Sequence, residues 1–335
     1  SLASWGRCLA VFGTAGAATT PPNSLTIPVM PSVRCAALAD RIVNVKATFF
    51  PREHGATAML LTPFFCAAIL LRQVRWTEAV ALIAGVSAFA AKDPLVAMVR
   101  QRLVWKHEHP ETRMARRWLA VELLGVAAGG AMLAIAGPWR PFAVVGLAAA
   151  GFALLAVWVN VRNRQRSEWF QVASAAALSS TSLVACLAVL GDVPRWGWWL
   201  WLLCAMQAAA GIFVVHARLD ARSTAARSAA RNAIRSAVSS AARSPAPTGE
   251  AVNPAARRAA HVSVAVLAVS AIAFWRNPWI AAALLIVAGG YWWELRRQRD
   301  VQGVQMPLAR VGMQMLALSI LYGALIVAGL WSWRV

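Results

Sequence analysis

The sequence predicts an all-α fold: a polytopic transmembrane bundle of about nine helices, N-terminus in the cytoplasm and C-terminus outside. Three observations lead there. The 335 residues are 59% hydrophobic and only 14% charged, where a soluble domain runs to roughly one half and one quarter. The mean hydropathy is +0.57, and the apolar residues stand in long blocks, whereas barrel strands would alternate apolar and polar over about ten residues. The basic residues gather between alternate pairs of blocks, as the positive-inside rule requires of helical membrane proteins.

Nine blocks are bounded by Pro, Gly and charge: 56–71, 77–91, 118–136, 141–159, 169–190, 196–216, 260–275, 279–293 and 311–331. Blocks one, two, seven and eight hold about 16 residues, or about 24 Å of helix, less than the roughly 30 Å of hydrocarbon in a bilayer. They are expected to draw in flanking residues, thin the bilayer or pack as buried half-length hairpins, so counts of seven or eight stay open. With the N-terminus inside, 27 of the 33 Lys and Arg fall on the cytoplasmic side and 6 on the other. A miscounted helix in the middle would scramble that split. The net charge of +20 would point to nucleic acid in a soluble chain. Here it orients the bundle, and no nucleic-acid partner is expected.

Tryptophan agrees with this topology. Ten of the 17, from Trp76 to Trp333, sit at outer block ends, and six (Trp105, Trp118, Trp158, Trp169, Trp292, Trp293) near inner ends. Indole prefers headgroup level, where its body is apolar and its edge wet. The organisation that follows is a cytoplasmic tail over 1–50 and a single transmembrane domain over 51–335. Within the tail, Arg7 precedes a short apolar run from Cys8 to Ala18, a weak hydrophobic region that leaves a cleaved signal peptide as one alternative. Met30 is the expected natural start, which leaves 1–29 outside the native chain. The domain carries two long cytoplasmic loops, 92–117 and 218–258. The first half of 92–117 reads as an interfacial amphipathic helix. The second loop holds Arg218, Arg222, Arg227, Arg231 and Arg235 loosely along one helix face. That stripe suits an anionic lipid surface and equally a solvated, Ala-driven linker.

Ionisable residues at membrane depth are costly and become functional candidates. Glu53 and His54 open block one, Lys92 and Asp93 close block two, and Glu122 lies a turn inside block three. Asn160, Arg162 and Asn163 close block four, and Glu168 opens block five. His216, Arg218 and Asp220 close block six, His261 opens block seven, Glu294 closes block eight and Arg310 opens block nine. All are at cytoplasmic ends; the outer side has only Glu78 and Asp192 as acids. Two readings stand. Charges are cheap at an interface, so the pattern follows from topology alone. Alternatively the groups line a cytoplasm-facing polar cavity. Arg162, Arg218 and Arg310 would then bind an anionic head bidentately, with His54, Asp93 and Glu122 as polar lining. Asp93-Pro94 is expected to end its helix sharply.

Other chemistry is thin. His107-Glu108-His109 would need an extended loop to share a metal, since i and i+2 diverge on a helix, and no metal or cofactor is expected. The five Cys form no CxxC pair, and GxGxxG, Walker A, HExxH and GxSxG are missing.

Pro51-Arg52-Glu53-His54-Gly55, followed by Ala56, Met59-Leu60-Leu61 and Pro63-Phe64, resembles the YwiC-like family of bacterial integral membrane proteins. Thr57 stands where that family often has an aromatic. The resemblance continues at Lys92-Asp93-Pro94-Leu95 with Arg100 and Arg102, at Arg162–Arg166 with Glu168, at Phe213–Arg218 and at Pro307–Gly312. It spans roughly 50–331 and implies a multi-pass protein of the bacterial cytoplasmic (inner) membrane, without bringing an activity. In layout the chain is also similar to UbiA-type intramembrane prenyltransferases, which share nine helices and functional loops after helices two and six. That resemblance implies prenyl transfer, but the family places Asp-rich clusters in those loops to hold Mg²⁺ and a diphosphate. Only Asp93 and Asp220 stand there, too few for such a clamp.

Three classes of function follow: binding of an amphiphilic or isoprenoid lipid with an anionic head, scaffolding of anionic lipid or a partner through basic loops, and transport. Transport wants polar residues at the bilayer midplane and broken helices. Pro63 is the one internal break with a clear signature, and the charged groups collect at one end.

Overall fold

The apolar blocks become helices because a backbone in hydrocarbon must satisfy its own N–H and C=O groups. The structure, a computed structural model, describes residues 54–105, 111–162, 167–238 and 254–334, and among these there is no strand. The helices are α1 (His54–Leu71), α2 (Trp76–Ala90), α3 (Lys92–Arg100), α4 (Glu111–Ala136), α5 (Trp139–Val161) and α6 (Glu168–Ser179). They continue with α7 (Thr181–Leu190), α8 (Arg195–Val238), α9 (Pro254–Ala273), α10 (Pro278–Arg297), the short α11 (Val301–Gln305) and α12 (Leu308–Trp331). The tail, Glu53, the His107-Glu108-His109 tract and Asn163 lie outside the described residues.

Among the described residues eight helices are long and apolar enough to cross a membrane, and Ala56–Leu71 forms a shorter ninth. Of the four short blocks, three lengthen by recruiting their flanks and only the first stays short. Block two changes most. Its helix does not end at Asp93-Pro94: Ala91 makes a one-residue turn, its N–H on Ser87 O at 2.9 Å, and Leu95 N–H returns to Ala91 O at 3.2 Å. Pro94 falls in the first turn of α3, where a missing N–H costs nothing. The span therefore runs continuously over Trp76–Leu103, 28 residues, instead of stopping before an interfacial helix, and closes in a π-helical turn at Gln101–Trp105.

Two spans are central and several peripheral. Of the apolar window of Glu168–Leu190, and likewise of Pro278–Arg297, 44% is buried, against 11% for Thr112–Ala136, which turns Val121, Leu124 and Ile135 outward. The core is built from Leu70 of α1, Ala185 and Cys186 of α7, Leu200 and Leu203 of α8, Leu267 of α9, Leu284 and Val287 of α10, and Ile326 of α12. The periphery is held by close helix approach. A Cβ on Gly125 would lie 2.7 Å from Ser87 Oγ, and one on Gly129 2.8 Å from Ala84 Cβ, so a small-xxx-small face of α4 packs directly on small residues of α2.

Contacts pair the helix ends that the charge pattern assigns to one side. At the outer end Thr77 Oγ1 donates to Ala188 O at 2.6 Å and Asn277 Nδ2 to Gly329 O at 2.8 Å. Arg72, left-handed at φ 55°, places its guanidinium 4.2 Å over the Trp331 ring. At the inner end Arg100 Nη2 donates to Asn160 O at 2.8 Å.

Candidate functional site

The most enclosed charges lie at the inner end. Arg218, in the cytoplasmic half of α8, is 1% exposed, and Glu294, in the last turn of α10, is 3% exposed. Their side chains form an ion pair, Arg218 Nη1 to Glu294 Oε1. Arg218 Nη2 also donates to Gly303 O at 2.7 Å and Met306 O at 3.2 Å, so the segment after α10 wraps the guanidinium. Gln298 Nε2 adds bonds to Val214 O at 3.3 Å and Glu294 Oε1 at 3.4 Å. A buried charge is tolerable only when paired and hydrogen-bonded, and this clasp supplies both while leaving Arg218 Nε unpartnered.

The other predicted residues have different settings. Arg162, Glu168 and Arg310 are exposed, whereas Glu122, His216, Asp220 and His261 are half-buried. Of the three arginines expected to bind an anionic head, Arg218 alone is buried, whereas Arg162 and Arg310 are exposed. The Arg162 guanidinium lies 4.3 Å over the Trp158 ring. Asp93 stands 3.8 Å from Lys92. His261 Nδ1 is 2.7 Å from Arg257 O, and its ring meets Trp292 edge-on at 5.7 Å. His54 starts α1, its side chain outside the described set. Thr112 Oγ1 donates to Gln101 Oε1 at 2.5 Å, closing the loop between α3 and α4. Cys66, Cys186 and Cys204 are buried free thiols, as small hydrophobes would be.

Sequence reasoning missed a second polar level, between α8, α10 and α12. Gln207 Nε2 donates to Tyr291 OH at 2.9 Å and to Ser319 Oγ at 2.8 Å, joining α8, α10 and α12. Tyr322 OH donates to Leu203 O at 2.9 Å. A signal was present: Tyr291 and Tyr322 are the chain's only two Tyr, and both lie inside apolar blocks. Replacing Gln207 by Leu strips two partners at once. It is expected to lower the stability of the detergent-solubilised protein by about 1–2 kcal/mol, read as the midpoint of thermal unfolding.

Block five stays one span over Glu168–Leu190, with a one-residue turn at Ser180 whose backbone remains in the right-handed helical region. Thr181 Oγ1 donates to Leu60 O at 2.7 Å.

With this geometry in place the chain can be compared with known proteins. Residues 50–186 match the family model described as YwiC-like protein. That stretch belongs to the YwiC-like family. The YwiC-like segment runs from the Pro51–Gly55 element into α7, and so includes Pro63, Asp93-Pro94 and the turn at Ser180. The Arg218 clasp and the Gln207 level lie beyond it. Comparison with curated proteins and with solved structures gives no match. The chain is a multi-pass membrane protein: a YwiC-like segment continued by further apolar spans.

Proposed function

We propose that this protein sits in the bacterial inner membrane and binds the anionic head of an amphiphile, a phospholipid or an isoprenoid diphosphate, at its cytoplasmic rim. One observation carries the reading. At the inner ends of α5 and α10 an Arg lies over the Trp four residues before it: Arg162 over Trp158 at 4.3 Å, Arg296 over Trp292 at 5.1 Å and Arg297 over Trp293 at 5.8 Å. The indoles fix headgroup depth, and guanidinium groups held over them can still offer their fork for bidentate phosphate contact. Arg310 is a further exposed charge on this side. Arg218 is spent on Glu294 and holds the rim together instead of binding the head. Glu53, His54, Asp93, Glu122, Glu168, His216, Asp220 and His261 remain the proposed polar surround.

The test is thermal unfolding in mild detergent with phosphatidylglycerol, farnesyl diphosphate or geranylgeranyl diphosphate, with and without Mg²⁺. Ligand at 100 times Kd stabilises by about 2.7 kcal/mol. The gain is expected to vanish in the triple variant Arg162→Ala, Arg296→Ala, Arg297→Ala and to persist in the outer-end control Arg140→Ala, Arg276→Ala. A wild-type protein indifferent to every ligand, or equal losses in both variants, overturns the proposal.

A scaffold reading has its own support. α8 continues unbroken to Val238, some 20 residues past Arg218, or about 30 Å. Arg227 and Arg231 are exposed along it. Arg231 stands about 20 Å beyond Arg218 along the helix axis, more than two Debye lengths at physiological salt. That geometry offers the stripe to an acidic partner in the cytoplasm rather than to the lipid surface.

A further inference from the structure

Residues 298–307 join α10 to α12, and little of their own chemistry holds them in place. α11 at their centre has five residues, and its N-cap Asp300 makes no capping bond; a helix so short does not persist alone. Of the side chains described in this segment Val304 alone is buried, whereas Arg299, Asp300, Gln305 and Pro307 are exposed. Contact with its neighbours seats it instead. Arg218 Nη2 donates to Gly303 O at 2.7 Å and to Met306 O at 3.2 Å, and Gln298 Nε2 to Val214 O at 3.3 Å. These ties run to one stretch of α8. The other contact is between backbones. Gly303 rests so closely on the end of α10 that a Cβ there would lie 2.8 Å from the Arg297 carbonyl carbon and overlap its oxygen. Only glycine fits that seat.

The fastening is incomplete. Arg218 Nη1 faces Glu294 and Nη2 holds the two carbonyls, but Nε, in a side chain 1% exposed, has no partner. A buried donor left unmade is a standing cost. Lifting the segment relieves it, because water then reaches Nε. Closure gains hydrogen bonds and the burial of Val304; opening gains hydration and chain entropy. Segments balanced in this way open locally while the rest of a protein stays folded. The arginines assigned to the rim bracket the segment: Arg296 and Arg297 close α10, and Arg310 lies three residues beyond Pro307. Opposite them is α8, where beyond Arg218 only Ala221 and Thr224 are buried among the described side chains. We infer that residues 298–307 are a latch on α8, fastened at Arg218 and seated by Gly303, through which occupancy of the rim reaches the cytoplasmic extension of that helix. Latched, the extension continues from a fixed start; unlatched, it frays back from its far end. The input, though not the latch, rests on the rim reading. A head held by arginines on either side of the segment fixes its ends and favours the latched state.

Hydrogen exchange of the full chain in mild detergent, read by mass spectrometry, tests the latch. Gly303→Ala is expected to speed exchange at least tenfold over 299–307 and over 219–231, and to leave 200–214 unchanged. Gly312→Ala, whose Cβ position has nothing within 4 Å, should alter none of the three. The double variant Arg218→Met, Glu294→Leu unfastens the segment without any overlap and should reproduce the effect of Gly303→Ala. Phosphatidylglycerol is expected to slow both stretches in the wild type and neither in Gly303→Ala. Faster exchange over 299–307 with 219–231 unchanged, in either variant, overturns the inference; the segment would then be a connection and nothing more. So does a Gly303→Ala protein with wild-type exchange throughout. If phosphatidylglycerol raises the unfolding midpoint of the wild type without slowing 219–231, the rim reading stands and the coupling falls. If it leaves the midpoint unmoved, the rim loses this ligand and the coupling falls with it, while the exchange measured without ligand still decides the latch.

Discussion

Glu294→Ala is expected to be the most damaging single substitution at the inner end, costing about 3–5 kcal/mol because it strands the buried Arg218 guanidinium without its counter-charge. The magnitude follows from enclosure. Arg218 is 1% exposed, so water does not replace the lost carboxylate, and the carbonyls of Gly303 and Met306 cannot neutralise a full charge. The double variant Arg218→Met, Glu294→Leu removes both charges and is expected to recover most of the loss, as buried pairs often do when replaced by apolar residues of similar size. Unfolding of both variants in mixed detergent and SDS, followed by Trp fluorescence, makes the comparison. If the single and double variants were equally unstable, the pair would matter for its volume rather than its charge.

The second large effect is expected at the α2–α4 contact. Gly129→Leu sets a branched side chain where a mere Cβ already comes within 2.8 Å of Ala84 Cβ. The helices must separate or Ala84 must move, and overpacking of this kind costs about 1–3 kcal/mol. The adjacent Gly130 has nothing within 4 Å of its own Cβ position and supplies the control: Gly130→Leu should leave the unfolding midpoint nearly unchanged. α4 shares little core with the rest of the bundle. Its detachment should therefore show first as protease sensitivity around residues 106–117 rather than as global unfolding.

Much of the architecture was legible because it depends on sums. An apolar block is a property of about twenty residues together, and the charge bias between loops is a property of all of them, so neither is upset by a single position. Pairings were not legible. Arg218 and Glu294 are 76 positions apart, and each was visible as a charged residue at a helix end, without anything in the chain to say that they meet. The Asp93-Pro94 expectation failed for a local reason. The same proline that ends a helix from inside opens one from its first turn, and which applies depends on Ala91, a residue with no turn signal. The turn at Ser180 was hidden because serines are ordinary in membrane helices and their hydroxyls back-bond to carbonyls without interrupting the run. Gln207 and Tyr291 show the same limit. Their polarity was plain, but not that they lie at one depth on neighbouring helices.

The length of α8 has a mechanical consequence. Its 44 residues make a rod of about 66 Å. Its N-terminal half is locked into the core through Leu200 and Leu203, and Thr224 is the last buried residue along it among those whose side chains are described. A tilt of about 10° around that fulcrum would swing the tip near Val238 by about 4 Å. A small change of angle where α8 leaves its packing partners is thus geared up into a displacement of several Å at its far end.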